Sequence, residues 1–212
     1  PEQLRVLPLG DSITYGSGSS TTSSYRARLW DRLQADNIPT DFVGFQRTGD
    51  LPDPENEGHR GWTIAQISGI AKRTMHSLRP NLVLLHIGTN DLNGSDVPVA
   101  DAAAQLGRLI DQLLADEPTT TVLVSTLVPS TTPATEKRIV AYNRMIPQLV
   151  AERQTAGKHV WMVDQKAVTT RGLRDHLHPN DAGYAKMADA STPVFRRCWR
   201  PAGSASRPDP QR

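Results

Sequence analysis

The 212-residue sequence predicts one α/β domain with three layers, in which helices cover both faces of a five-stranded parallel sheet. Two observations predict this fold class. Short apolar runs alternate along the chain with longer segments whose apolar residues recur at helical spacing. The run over residues 81–88 (NLVLLHIG) is almost continuously apolar, which is typical of a strand buried on both faces of a parallel sheet. We therefore expect right-handed crossovers between neighbouring strands.

The individual elements follow from the same pattern and from the residues that interrupt it. Five apolar runs are the predicted strands: residues 4–10, 41–45, 81–88, 120–128 and 159–163. Five amphipathic segments are the predicted helices: residues 23–36, 63–78, 99–115, 136–153 and 180–197. In the first helix Tyr25, Leu29 and Leu33 share one face, and Ser24 is the expected N-cap. Residues 48–61 are rich in Pro, Asp, Glu and Gly, so we expect a loop there.

Composition excludes several classes of protein. The 24 basic and 22 acidic residues give a net charge of +2, which argues against a nucleic-acid binder. The single cysteine, Cys198, excludes an internal disulfide framework and a structural zinc site built on several thiolates. No apolar run approaches the roughly 20 residues that a membrane-spanning helix needs. We expect one domain over residues 1–199, followed by a disordered Pro- and Arg-rich tail over 200–212.

Side chains suited to chemistry follow four of the predicted strands. The carboxyl ends of parallel strands meet at one edge of a sheet, where ligands usually bind. The four groups are Gly10-Asp-Ser-Ile-Thr14, Glu57-Gly-His-Arg-Gly-Trp62, Gly88-Thr-Asn-Asp91 and Asp175-His-Leu-His178. The sequence therefore predicts one site at this edge that combines a serine, a glycine loop, an asparagine and an Asp-x-x-His turn.

These residue types are the ones that nucleophilic catalysis needs. A serine hydroxyl attacks a carbonyl only when a base removes its proton, and histidine is suited to this because its pKa lies near neutrality. A carboxylate on the other ring nitrogen fixes the tautomer of the histidine. Asp175 and His178 are three residues apart, so one turn can bring both to Ser12. We predict Ser12 as nucleophile, His178 as base and Asp175 as its orienting carboxylate, with His176 as a rival base.

The glycine loop and the asparagine provide hydrogen-bond donors. The backbone N–H groups of Ser12 and Gly61 and the side-chain amide of Asn90 are the candidate oxyanion donors. We interpret Asp11 and Asp91 as supporting residues that do not themselves react. His86, inside a predicted strand, is expected to be a core histidine with satisfied hydrogen bonds.

Three residues around Gly61 are candidate substrate-binding residues: His59, Arg60 and Trp62. The Trp62 ring could stack on a sugar, but packing in the core explains a tryptophan at this position equally well. For Arg60, a solvated loop arginine remains the alternative to a substrate contact.

Taken in order, the four groups resemble the four sequence blocks of the SGNH (GDSL-type) hydrolase superfamily. Ser12, Gly61, Asn90 and His178 match the Ser, Gly, Asn and His that give the superfamily its name. The stretch from Asp41 (DFVGFQRTG) through Glu57-Gly-His-Arg-Gly-Trp-Thr-Ile64 is similar to carbohydrate esterase family 3, whose members are secreted acetylxylan esterases. The similarity runs from about residue 4 to about residue 190.

The resemblance implies a flavodoxin-like sheet in strand order 2-1-3-4-5 and a single catalytic domain over residues 1–199. It implies a secreted esterase that removes acetyl groups from xylan or a related polysaccharide through an acyl-enzyme, although nothing at the N-terminus reads as a signal peptide. We expect a monomer without cofactor or metal, whose partner is an acylated small-molecule or polysaccharide substrate. Two alternatives stay open: a lipase, phospholipase or thioesterase for longer acyl chains, and a catalytically silent carbohydrate-binding domain on the same fold.

Overall fold

Residues 3–198 are described by the computed structural model, and seven strands within them form one mixed sheet. The strands are β1 (Leu4–Gly10), β2 (Thr40–Phe42), β3 (Gln46–Arg47), β4 (Glu55–Gly58), β5 (Leu82–His86), β6 (Thr121–Ser125) and β7 (Val160–Val163). The helices are α1 (Ser12–Tyr15), α2 (Arg26–Ala35), α3 (Ile64–Leu78), α4 (Thr89–Leu92), α5 (Val99–Asp116), α6 (Pro133–Asn143), α7 (Ile146–Thr155) and α8 (Asp181–Cys198). The tail predicted over residues 200–212 lies outside the described residues.

The predicted α/β fold is confirmed, but the sheet is mixed and has seven strands, whereas five parallel strands were predicted. The five predicted strands are β2, β1, β5, β6 and β7, and they pair in parallel in that order. Alternate residues of β5 enter two different cores: Val83 and Leu85 pack with α3 and α5, whereas Leu82 and Leu84 pack with α2 and α8. A strand covered by helices on both faces needs apolar residues at every position, which explains the continuous apolar run.

The prediction of a loop over residues 48–61 was wrong for β4. This strand pairs in parallel with the carboxyl end of β1, where Gly10 is opposite Gly58, and antiparallel with β3. β1 therefore has β2 beside its first half and β4 beside its end. Asn56 and Glu57 of β4 are buried, and their side chains are hydrogen-bonded to nearby loops, so the strand lacks the apolar pattern that marks the others.

The helix predicted over residues 136–153 is two helices, α6 and α7. The side chain of Asn143, the last residue of α6, accepts from the N–H of Leu127 at 2.8 Å and donates to its carbonyl at 2.9 Å. Pro147 lies in the first turn of α7, where a missing N–H breaks no helical hydrogen bond. The break thus anchors the helices to the segment that follows β6.

Ser24 was wrongly predicted as the N-cap of α2. It has a positive φ of 59°, and its hydroxyl donates to the carbonyl of Ile13 at 2.7 Å. The helix begins at Arg26 instead, with Tyr25 at the N-cap position. The serine therefore ties the segment before α2 to α1.

A buried arginine holds the loops behind α1. The guanidinium of Arg26 donates to the carbonyls of Thr14, Tyr15, Thr22 and Pro54 and to the hydroxyl of Thr48. Burial lowers the pKa of Arg26 to about 10, but the group still keeps its proton near neutrality. These bonds fix the end of α1 relative to the segment that precedes β4.

Among the helices of residues 3–198, none combines the length and the apolar character needed to cross a bilayer.

Candidate active site

Ser12 lies at the carboxyl end of the central strand β1, as the first residue of α1. Its neighbour Asp11 is the N-cap, and the Asp11 carboxylate accepts from the N–H of Ile13 at 2.9 Å. Burial raises the pKa of Asp11 to about 7, and its second oxygen has no hydrogen-bond partner within residues 3–198. Asp11 therefore shapes the turn that presents the hydroxyl of Ser12, as the sequence interpretation expects.

The Ser12 hydroxyl faces the ring of His178. The distance from Ser12 Oγ to His178 Nε2 is 2.9 Å, and the other ring nitrogen, Nδ1, lies 2.8 Å from Asp175 Oδ2. A carboxylate only accepts hydrogen bonds, so Nδ1 carries the proton and the lone pair of Nε2 faces Ser12. The hydroxyl can thus pass its proton to the imidazole.

Asp175 is fixed by the turn in which it lies. Its Oδ1 accepts from the N–H groups of Leu177 and His178, both at 2.8 Å. Partial burial raises the pKa of Asp175, but these bonds and the bond to the His178 ring outweigh it and lower the pKa to about 2. The carboxyl group is therefore ionised at neutral pH.

The imidazole that contacts Ser12 belongs to His178, whereas His176 is exposed and contributes its backbone carbonyl to the turn. This carbonyl accepts from the hydroxyl of Ser130 at 2.8 Å. The structure thus brings together Ser12, His178 and Asp175 and leaves the side chain of His176 outside the group.

The loop after α1 packs closely against the turn that carries His178. Gly18 has a φ of +90°, and a Cβ added to it would lie 2.4 Å from the carbonyl oxygen of Pro179. On the same side, the hydroxyl of Tyr184 donates to the carbonyl of Ser17 at 2.6 Å. Tight packing therefore holds the segment that carries Ser12 against the segment that carries His178.

The two candidate oxyanion donors other than Ser12 come from the strands on either side of β1. Asn90 lies in α4 after β5, and its amide donates to the carbonyl of Trp62 at 2.8 Å. Gly61 follows β4 with a φ of +78°, and no atom lies within 4 Å of the position a Cβ would take. Its N–H donates no hydrogen bond to any group within residues 3–198. The second amide proton of Asn90 and the N–H of Gly61 thus remain for a ligand.

Asp91 joins two helices at the site. Its carboxylate accepts from the N–H of Ile64, the first residue of α3, at 3.1 and 3.3 Å from its two oxygens. Burial raises the pKa of Asp91 above its ordinary value. The residue therefore fixes α4, which carries Asn90, against the start of α3.

Of the three candidate substrate-binding residues, His59 and Trp62 stack on each other, whereas Arg60 lies over Tyr15. The ring of His59 stacks on Trp62 with 3.9 Å between centroids and 15° between planes, and Trp62 also packs against the core. The guanidinium of Arg60 lies 5.6 Å from the ring centroid of Tyr15. One face of Trp62 is thus covered by His59. Sequence reasoning gave no role to Glu57, although its buried carboxylate lies 2.6 Å from the His59 ring.

Outside this site, the sequence interpretation of His86 needs correction. The residue is in the core, as expected, but neither ring nitrogen has a hydrogen-bond partner among residues 3–198. Burial lowers its pKa to about 4, so the ring is neutral at pH 7. In the described part of the chain, no group of three or more His, Cys, Asp or Glu side chains is arranged to hold a metal ion.

Comparison with known sequences gives one family and a partial match to longer proteins. Residues 9–186 match the GDSL-like lipase/acylhydrolase family. A multidomain esterase of Ruminococcus flavefaciens is 27% identical over 215 residues, which cover 87% of this chain and 27% of that protein. A relative from Acetivibrio thermocellus is matched over 55% of its length. The chain therefore spans between about a quarter and about half of these curated relatives.

Solved structures resemble the chain over nearly the whole of both molecules. A family 3 carbohydrate esterase of Clostridium thermocellum is 32% identical with a TM-score of 0.80, covering 92% of this chain and 98% of that one. A mutant acetyl esterase crystallised with an acetate ion is 25% identical with a TM-score of 0.81, covering 92% and 97%.

Proposed function

Because the chain belongs to the GDSL-like lipase/acylhydrolase family, we propose that it hydrolyses short acyl esters with Ser12, His178 and Asp175 as its catalytic triad. The single observation that carries the proposal is the chain of contacts from Ser12 Oγ to His178 Nε2 at 2.9 Å and from His178 Nδ1 to Asp175 Oδ2 at 2.8 Å. These are the distances and atoms that general-base activation of a serine requires.

The reaction proceeds in two steps. Ser12 Oγ attacks the ester carbonyl while His178 Nε2 takes its proton, and the protonated ring then gives that proton to the leaving alcohol. Water attacks the resulting acyl-serine, again with His178 as base, and releases the carboxylic acid. Asp175 stays ionised throughout, because its pKa of about 2 lies far below neutrality, and its charge stabilises the imidazolium that forms in each step.

Three donors stabilise the negative oxygen of each tetrahedral intermediate. They are the N–H of Ser12, the N–H of Gly61 and the amide of Asn90. These residues follow β1, β4 and β5, respectively. Loss of one such donor typically costs about 10²–10³-fold in rate. The positive φ of Gly61 and the open space around it allow a substrate to approach its backbone closely.

We assign an acetyl group on xylan or a related polysaccharide as the substrate. The support is the likeness to a family 3 carbohydrate esterase and to an acetyl esterase with bound acetate. A secreted protein fits this substrate, since polysaccharides of this kind lie outside the cell. A panel of p-nitrophenyl esters and acetylated xylan tests the assignment: acetyl should be preferred over octanoyl, and acetate should be released from the polymer. Preference for octanoyl would instead identify a lipase or thioesterase.

Replacement of the nucleophile tests the mechanism. Ser12→Ala should lower turnover of p-nitrophenyl acetate by more than roughly 10⁴-fold. It should also abolish covalent labelling by a fluorophosphonate, which reacts with an activated serine. Ser77→Ala is the matched control, because Ser77 is exposed near the far end of α3. Retained turnover in a folded Ser12→Ala variant would reject the mechanism, and an unlabelled parent protein would favour a silent binding domain.

A further inference from the structure

The carboxylate of Glu57 is buried beside the candidate oxyanion donors. Its side chain is 3% exposed, on the strand β4 that pairs with the end of β1. One oxygen accepts from the N–H of Phe45 at 2.8 Å, and the other lies 2.6 Å from His59 Nε2. Within residues 3–198 it forms no ion pair with a lysine or arginine. Burial of a carboxylate is costly even when it is hydrogen-bonded, so an apolar residue would serve the strand better if packing were the only requirement.

A continuous set of contacts leads from Glu57 to the oxyanion donors. The His59 ring, held by Glu57, stacks on Trp62, and the N–H of Trp62 donates to the carbonyl of His59 at 3.2 Å. The carbonyl of Trp62 accepts from the Asn90 amide at 2.8 Å. Gly61 lies inside the same turn, between His59 and Trp62. The orientation of both donors therefore depends on where this turn is held.

The turn is also anchored to the strand of the nucleophile. The N–H of His59 donates to the carbonyl of Gly10 at 2.9 Å, two residues before Ser12. Backbone hydrogen bonds thus fix the start of the turn, and its end at Trp62 is held by packing on the core and by the stacked His59 ring. Because the imidazole can rotate about its side-chain bonds, the hydrogen bond to Glu57 is what sets the plane on which Trp62 rests.

We propose that Glu57 and His59 are positioning residues for the oxyanion donors, holding Trp62 so that its carbonyl orients the Asn90 amide and its turn presents the Gly61 N–H. This inference rests on the proposed function, since an oxyanion forms only if the protein transfers acyl groups. Neither residue takes up the serine proton, which goes to His178. Their effect lies on the transition state, where donors must be placed within a few tenths of an ångström.

Two variants test the stacking of the His59 ring and its hydrogen bond to Glu57 separately. His59→Phe keeps a ring that can stack on Trp62 but removes the hydrogen bond to Glu57. Glu57→Gln keeps the size of the side chain, but its amide can accept only one of the two N–H groups that the carboxylate accepts. His76→Phe is the matched control, because His76 also faces a carboxylate, Asp116 at 3.9 Å, and lies near the end of α3 away from the site.

The measurement is kcat and KM for p-nitrophenyl acetate per active site, with sites counted by fluorophosphonate titration. Misplacement of catalytic groups by about 1 Å costs on the order of 10²-fold. We expect each variant to lose about 10–100-fold in kcat with KM changed less than about 3-fold, because the lost interaction belongs to the transition state. The double variant should lose no more than the worse single variant, because each substitution breaks the contact between the Glu57 carboxylate and the His59 ring.

The pH dependence gives a second readout, which separates misplaced oxyanion donors from a change in the catalytic base. The midpoint of the kcat/KM profile should stay at the parent value in His59→Phe, because His178 remains the base, while the plateau falls. If Glu57→Gln does not fold, His59→Phe decides, because the backbone bond from His59 to Gly10 is unaffected by the substitution.

Three results would overturn the proposal: per-site kcat within about twofold of the parent, a loss matched by His76→Phe, or a loss explained wholly by fewer titratable sites. Failure of the proposed function looks different, since the parent would then be inactive or its activity would persist in Ser12→Ala.

Discussion

Replacement of Gly18 by alanine should both slow catalysis and destabilise the fold. The added Cβ would lie 2.4 Å from the carbonyl oxygen of Pro179 and 2.9 Å from Cβ of His178. Ordinary contact begins near 3.4 Å, so the turn that carries His178 must move by about 1.0 Å (3.4 minus 2.4). A displacement of that size costs about 10²-fold in rate. The positive φ costs about 1–2 kcal/mol and the steric clash about 1 kcal/mol more, so the free energy of unfolding should fall by about 2–3 kcal/mol in all.

The matched control is Gly157→Ala. Gly157 has a φ of +74°, close to that of Gly18, but no atom lies within 4 Å of the added Cβ. It precedes β7, at the edge of the sheet opposite the site. Urea unfolding should therefore show a loss of about 1 kcal/mol for the control, whose kcat/KM for p-nitrophenyl acetate should stay at the parent value. Activity of Gly18→Ala within about threefold of the parent, or an equal loss in both variants, would refute the reasoning.

Three further predictions concern other parts of the molecule. His178→Ala should lower turnover of p-nitrophenyl acetate by roughly 10⁴-fold and His176→Ala by less than about twofold, and the reverse ranking would make His176 the base. Because burial lowers the pKa of His86 from 6.5 to about 4, the unfolded chain binds a proton in this range that the folded chain does not. The free energy of unfolding should thus fall by up to about 3 kcal/mol from pH 6.5 to 4. In His86→Phe, the urea midpoint should fall less over the same pH range than it does in the parent. Arg26→Met, which leaves four buried carbonyls without their donor, should cost about 3–5 kcal/mol in urea unfolding, and a loss below about 1 kcal/mol would contradict its role.

The strands buried on both faces were predictable because every position along them must be apolar. β5 must present apolar residues to two cores, and its continuous run is visible without any structure. The approach of Ser12 to His178 followed from the same logic, since parallel strands end at one edge. The contact distances did not follow, because they depend on the packing of the Gly18 loop against the Pro179 turn.

The elements that the sequence analysis missed are held by polar side chains in place of apolar ones. β4 is buried through the hydrogen bonds of Asn56 and Glu57, whose partners lie in neighbouring loops and give no periodic signal. The break between α6 and α7 depends on Asn143, whose partner Leu127 is remote in sequence. Pro147 was a visible local signal for that break, since the residue before a proline disfavours a continuing helix.

The Ser12 and His178 side chains are 166 positions apart along the chain, and α8, which follows His178, packs on α2. Contacts between such distant segments carry the entropy of closing a very long loop, so they are among the last to form. A growing chain still attached to a ribosome therefore contains Ser12 long before it contains His178. The rate at which ester hydrolysis appears in a refolding experiment therefore reports when the two ends of the domain come together. Optical signals from individual helices report only the formation of those helices.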